Sequence, residues 1–140
     1  MLLAIAASMR IPILLTTCLS LAAQSAHDQQ RFAGTWEAKY KGAIICTIKL
    51  EAGEKLSGAT EGCNIHVNDD GDLIETQPEE QAGEPSPILN AKIEGEKLSF
   101  EIKDGDDTLK LELTLTGEGR SELRFVDAPV KIKPVRFERR

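Results

Sequence analysis

The chain has 140 residues, of which 41% are hydrophobic and 29% charged, with a formal net charge of −6. That length supports one core rather than two. The excess of acid argues against nucleic acid or an anionic membrane surface as the main partner, since both select for positive charge.

The first element is a leader. Residues 1–26 contain no Asp or Glu, and Arg10 is followed by an apolar run from Ile11 to Ala23 and a small-residue exit, Leu21-Ala22-Ala23-Gln24-Ser25-Ala26. A basic start, a short apolar stretch and a small-residue exit describe a secretory signal peptide. The run is too short to cross a bilayer as a mature helix, so no transmembrane segment is expected. Met9-Arg10 can open such a signal by itself, which puts the expected start at Met9. Export to the periplasm or the cell exterior follows, leaving 27–140 as a single domain. A lipid anchor at Cys18 is disfavoured, because Thr17 precedes it and the apolar run continues beyond it. With Cys18 removed, Cys46 and Cys63 remain, and an even count in an exported chain predicts one disulfide. It closes a loop of about 18 residues, worth about 3 kcal/mol by chain entropy. With no Cys-x-x-Cys present, the pair reads as a staple and not a redox motif.

From Phe32 onward the hydrophobic pattern has period two. Trp36, Ala38 and Tyr40 share a face, followed by Ile44, Cys46, Ile48 and Leu50. After Leu56 the apolar positions switch from even to odd at Cys63, Ile65 and Val67, which calls for a bulge at Gly58 or Gly62. Asp70-Gly71 turns into a short strand at Leu73. Residues 68–86 hold Asp69, Asp70, Asp72, Glu75, Glu79, Glu80 and Glu84 without a Lys or Arg, and Pro78, Pro85 and Pro87 break any ladder. A long acidic loop is the expected form. Three hairpins follow. Turning at Gly95-Glu96 sets Ile93 against Leu98, Ala91 against Phe100 and Leu89 against Ile102. Turning at Gly105-Asp106 pairs Ile102, Phe100 and Leu98 with Leu109, Leu111 and Leu113. Turning at 117–119 pairs Leu113 with Leu123 and Leu111 with Phe125. All these residues then lie on one side, and a slip of one residue would invert a strand. The last strand is expected to carry Val130 and Ile132, shift phase at Pro134 and resume with Val135 and Phe137.

The fold class is therefore all-β: an antiparallel up-and-down meander of eight or nine strands, with no helical period after the leader. Closure into a small barrel, full or half-open, removes the free edges. The outward positions, including Lys49, Glu51, Lys103, Lys110, Glu112, Thr114 and Arg124, meet water, the opposite of a membrane barrel.

Phe32-Ala33-Gly34-Thr35-Trp36, at the head of the first strand, resembles the Gly-x-Trp signature of the calycins, the barrel group of lipocalins, fatty-acid-binding proteins and avidins. The resemblance implies that Gly34 allows a tight approach to the strand. It also implies that Trp36 plugs the barrel base against an arginine near the last strand, with Arg124, Arg136 and Arg139 as candidates. The subfamily is not assigned. No Thr-Asp-Tyr motif follows, Lys41-Gly42 leaves no room for the helix pair of fatty-acid-binding proteins, and a single tryptophan cannot wall a biotin pocket.

Reactive constellations are lacking. Aligning Gly71 with the glycine of a calcium loop puts His66 and Gln77 at ligand positions, and both are wrong there; a hairpin turn explains Asn68–Asp72 better. His27 and His66 make no metal pair, and no nucleophile elbow or phosphate loop is present. The expected protein is non-catalytic, without metal or cofactor. Its structural residues are Gly34, Trp36, Cys46 and Cys63. One reading gives the barrel a small apolar ligand lined by Trp36, Tyr40, Ile48, Phe100, Leu111 and Phe125. The other gives it a filled core and a partner protein of the envelope, met through the acidic loop or the basic tail. An internal cavity of several hundred Å³ would favour the ligand.

Overall fold

The computed structural model describes residues 26–74 and 84–140. Residues 1–25 of the expected leader, with Cys18, and residues 75–83 of the acidic loop lie outside the described residues. The strands are β1 (Gly34–Tyr40), β2 (Ala43–Glu51), β3 (Ser57–Glu61), β4 (Ser86–Pro87), β5 (Leu89–Glu94), β6 (Lys97–Asp104), β7 (Asp107–Gly117), β8 (Arg120–Val126) and β9 (Val135–Arg139). They form one sheet in the order β4-β3-β2-β1-β9-β8-β7-β6-β5, every pair antiparallel. The first strand pairs with the last, Trp36 opposite Arg139 and Glu37 opposite Glu138. The result is a nearly closed barrel.

Its seam follows from parity. Antiparallel pairing alternates strand direction around the sheet, so the two outermost strands, β4 and β5, run the same way. They are also consecutive, separated only by Ile88. Residues 86–94 thus form one run shared between two partners. Its start pairs with β3 (Ala59 with Pro87, Thr60 with Ser86) and its end with β6 (Ile93 with Leu98, Glu94 with Lys97). Counted this way the barrel has eight strands, the even number that an all-antiparallel closure requires. The Ile88 amide donates to the Gly58 carbonyl (3.0 Å) at the handover. Asn90 takes a left-handed φ of 53° inside a bulge between Leu89 and Lys92. That bulge displaces the expected pairing: Leu89 faces Glu101 instead of Ile102, and Ala91 loses its register with Phe100. Pro87, expected to break the ladder, is accommodated because β4 is an outer strand whose second edge has no strand partner among the described residues.

The remaining hairpins follow the hydrophobic pattern. Ile102, Phe100 and Leu98 face Leu109, Leu111 and Leu113. Leu113 and Leu111 face Leu123 and Phe125. Leu98, Phe100, Leu111, Leu113 and Leu123 are buried in the core with Trp36, Ile48, Leu50 and Phe137. At about 2 kcal/mol per large apolar side chain, exposing the first five by a one-residue slip would cost about 10 kcal/mol. That equals the whole stability of an ordinary domain, so the register is fixed.

Three local features depart from the sequence reading, and a fourth, the phase change after Leu56, falls at Gly62, one of the two glycines expected for it. Residues 26–32 are helical (α1), where no helix was expected, and bury Gln29 and Phe32. Between Ala38 and Lys39 the register with β2 shifts, so Ile45 is buried and Ile44, expected inside, is exposed. Gly58 stays in register opposite Leu50; the phase change falls after β3, where Gly62 has a φ of 55°. Leu73 makes an isolated bridge to Val67 and no strand, and residues 127–134 form a loop with Val130 exposed, so the last strand begins only at Val135.

The outer wall carries cross-strand ion pairs, Lys49 with Glu61 (3.1 Å) and Lys97 with Glu112 (3.0 Å). Lys103, Lys110 and Arg124 are exposed on it, the exterior of a barrel that stands in water. Among the described residues no helix is long and apolar enough to cross a membrane.

Candidate functional site at the barrel mouth

The two ends of the barrel differ in how they are closed. At the base, α1 leaves its last carbonyls without helical partners, as every helix does. The Phe32 carbonyl accepts from Trp36 Nε1 (2.8 Å). Arg139 Nη1 donates to the carbonyls of Arg31 (3.1 Å) and Ala33 (3.2 Å). The Arg139 guanidinium also lies 5.0 Å from the centre of the Trp36 ring, within cation–π range. Arg139 is thus the arginine that meets Trp36, whereas Arg124 and Arg136 are exposed. Gly34 has a φ of 129°, and a Cβ there would stand 2.9 Å from Arg139 Cδ, so only glycine fits beneath the arginine stem. Further ties bind α1 to the turns around it. Gly53 N donates to Gln29 Oε1 (2.9 Å), and Arg31 pairs with Glu96. Gln29, Phe32 and Trp36 are all buried, and this end is plugged.

The opposite end is hollow. A cavity of about 430 Å³ opens there, within the 300–1,000 Å³ typical of ligand pockets. One wall is aliphatic and aromatic: Ile102 from β6, Leu109 and Leu111 from β7, Leu123 and Phe125 from β8. The facing wall is built from small or polar groups, Cys46, Thr60, Gly62, Cys63 and Asn64. Cys46 and Cys63 are joined as the expected disulfide, which fixes the chain leaving β3 against β2. The Asn64 amide donates to the Ile45 carbonyl (2.8 Å) across the same join. Pro129, Val130 and Ile132 close part of the rim. Their loop is held to the 67–73 turn by Lys133 N to Gly71 O (3.0 Å) and by Lys133 Nζ to Asp72 (2.6 Å).

Polar groups in the cavity are few. Thr60 Oγ1 donates weakly to the Ser86 carbonyl (3.5 Å). Asn64 Nδ2 is buried without a hydrogen-bond partner. The charged lining residues are Glu84, Lys103 and Asp104, all exposed. The Asn68–Asp72 segment is a turn in which Asn68 Oδ1 accepts from the amides of Asp70 and Asp72 (3.0 Å each). Among the described residues no group of three His, Cys, Asp or Glu side chains could hold a metal ion. The perturbed titrations belong to the outer surface near the base. Lys92 holds the Glu94 carboxyl below its ordinary range, and Glu112 raises the Lys97 ammonium.

Of the six side chains expected around a ligand, Leu111 and Phe125 line this cavity. Trp36, Ile48 and Phe100 are fully packed in the core and do not. Tyr40 is half-buried, packs against the core cluster and is not part of the cavity wall. Ile102, Leu109 and Leu123 were legible as inward residues, but their position at the mouth depends on which end the helix plugs. Thr60, placed by its register opposite Ile48, and Asn64, placed by the left-handed turn at Gly62, are polar and carried no hydrophobic signal.

Comparison of the chain with protein-family models, with curated proteins and with solved structures finds no match.

Proposed function

We propose that this protein is an exported, calycin-like carrier whose barrel mouth takes up a small, largely apolar molecule and does no chemistry on it. The observation that carries this reading is the cavity of about 430 Å³, walled by Ile102, Leu109, Leu111, Leu123 and Phe125 and open at the end away from α1. Burying an apolar ligand against such a wall gains about 25 cal/mol per Å². Calycin likeness is supported by Gly34 and Trp36 at the head of β1 with Arg139 stacked on the indole. The Cys46–Cys63 disulfide favours an oxidising compartment.

The test is titration with Nile red, an uncharged hydrophobic dye. A saturable rise and blue shift of its emission is expected at one dye per chain. Leu109→Trp, which places a large ring in the mouth, should abolish that rise while leaving the far-UV circular dichroism and the melt in place. A flat titration of folded protein would remove the carrier reading and leave a protein-interaction module. Equal binding by the Leu109→Trp variant would place the dye elsewhere and also count against it.

A further inference from the structure

We propose that β5 is a pairing edge for a second copy of this chain, the two strands running antiparallel about a two-fold axis at Ile93. This inference is independent of the cavity and of the carrier reading.

β5 ends the sheet, so one of its edges has no strand partner among the described residues. The register shows why. Ala59 faces Pro87 and Thr60 faces Ser86, so β3, which starts at Ser57, runs out opposite Leu89. Residues 90–94 project beyond it, and Asn90, Ala91, Lys92 and Glu94 are exposed. The helix α1 meets the turn that follows, where Arg31 donates to the Gly95 carbonyl and pairs with Glu96. A free strand edge offers its N–H and C=O groups to any chain that can match them.

Backbone phase and side-chain charge select the same partner in the same register. Gly95 and Glu96 form a two-residue turn, so Glu94 and Lys97 are the hydrogen-bonded pair that closes the hairpin. Such pairs alternate along an antiparallel ladder. Lys92 and Ser99 are therefore the next one, and the amide and carbonyl of Ile93 point away from β6. A second copy centred on Ile93 exchanges two hydrogen bonds with it, amide to carbonyl in both directions. In that register Lys92 of each copy lies opposite Glu94 of the other, which gives two cross-strand ion pairs. The two half-buried Ile93 side chains meet on the face that packs against the core. Centring the axis on Lys92 or on Glu94 sets like charge against like and meets backbone groups already committed to β6. The same patch thus serves both copies, as a two-fold contact requires. The bulge between Leu89 and Lys92 keeps the paired stretch short, so the area falls below that of a standard interface and the association is weak.

The experiment is sedimentation velocity on the full chain at low ionic strength, up to about 1 mM protein, the range of weak association. A monomer–dimer equilibrium is expected, and raising the salt to about 1 M should weaken it by screening the ion pairs. Lys92→Glu and Glu94→Lys each place like charges opposite one another twice, and each should weaken the dimer about tenfold. Mixing the two variants restores opposite charges at both positions. The mixture should then dimerise about as well as the unaltered chain, although neither variant does so alone. Both side chains are exposed, and far-UV circular dichroism checks that the variants fold. An unaltered chain that stays monomeric, or a dimer indifferent to salt, overturns the proposal even where a variant does not fold. Dimerisation that the single variants leave unchanged, or that mixing them fails to restore, overturns it as well.

Discussion

Arg139→Met tests the plug at the base. The substitution keeps an unbranched apolar stem over Gly34 and removes the guanidinium. Lost with it are the hydrogen bonds from Nη1 to the Arg31 and Ala33 carbonyls and the cation 5.0 Å from the Trp36 ring. Each charge-assisted hydrogen bond contributes about 1.5 kcal/mol at the low end of its range. The cation–π contact adds about 1 kcal/mol where water is partly excluded. The gross loss is about 4 kcal/mol, and water reaching the two freed carbonyls returns part of it, leaving about 2–3 kcal/mol. For a domain of this size that lowers Tm by about 8–12 °C. Urea and thermal denaturation, followed by Trp36 emission and far-UV circular dichroism, measure it directly. Arg139→Lys separates charge from geometry, since an ammonium keeps the charge but lacks the fork that spans two carbonyls. It should recover no more than about half the loss. If Arg139→Met unfolds within about 0.5 kcal/mol of the unaltered protein, the spread of ordinary surface substitutions, then the base draws no stability from this arginine and the account of the plug is wrong.

Gly58→Ala puts a Cβ into the Lys49 carbonyl at a φ of 156°, and the strand cannot move aside without breaking its pairing with Leu50. It should cost more than about 3 kcal/mol; a melt within a few degrees of the unaltered protein would show that the seam tolerates displacement. Replacing Cys46 and Cys63 by alanine removes a cross-link between residues 17 apart, at a cost of about 3 kcal/mol. Hydrogen exchange should then quicken in residues 62–74 before it does in β7 or β8, and uniform quickening would deny the bond its local role. Lys92 depresses the Glu94 carboxyl through a hydrogen bond and its charge, so the pair holds at neutral pH and is lost as pH falls through that lowered value. Lys92→Met should move the Glu94 titration midpoint upward in a carboxyl NMR experiment with the melt unchanged, because the pair is exposed; an unmoved midpoint would assign the shift to another cause.

Much of the barrel was readable from the chain because a period of two leaves no freedom once one face must be dry. Across the β6–β7 and β7–β8 hairpins, Leu98, Phe100, Leu111, Leu113, Leu123 and Phe125 each face the partner that the hairpin arithmetic assigns. What failed was local register that the alternation of side chains does not encode. Asn90 at a φ of 53° breaks the Leu89 register, and no alternation of side chains announces it. The shift opposite Ala38 is equally silent, since Ile44 and Ile45 are both hydrophobic and either would serve as the inward residue. Residues 26–32 were overlooked for another reason. The seven described helical residues are too few to show a helical period, and they are tied to Trp36 and Arg139 by hydrogen bonds from the side chains.

The hollow mouth has a cause that also lies in side-chain size. An eight-stranded barrel is just wide enough for its inward side chains to fill it. Near the base, large groups meet from all around: Trp36 from β1, Ile48 from β2, Leu98 from β6, Leu113 from β7 and Phe137 from β9, with Phe32 rising from the helix below. Toward the mouth the β6–β8 side still contributes Ile102, Leu109, Leu111, Leu123 and Phe125, but β2, β3 and the turn after β3 answer with Cys46, Thr60 and Gly62. Half of the wall is large and the other half small, so the layers cannot interdigitate, and a space remains. Among the described residues no bulky loop fills it, because the disulfide and the Lys133 contacts hold the covering segments to the rim. Packing and open space are thereby assigned to opposite ends of one sheet: the plugged base carries the packing, and on the proposed carrier reading a mouth of this kind could exchange a ligand without unfolding the rest.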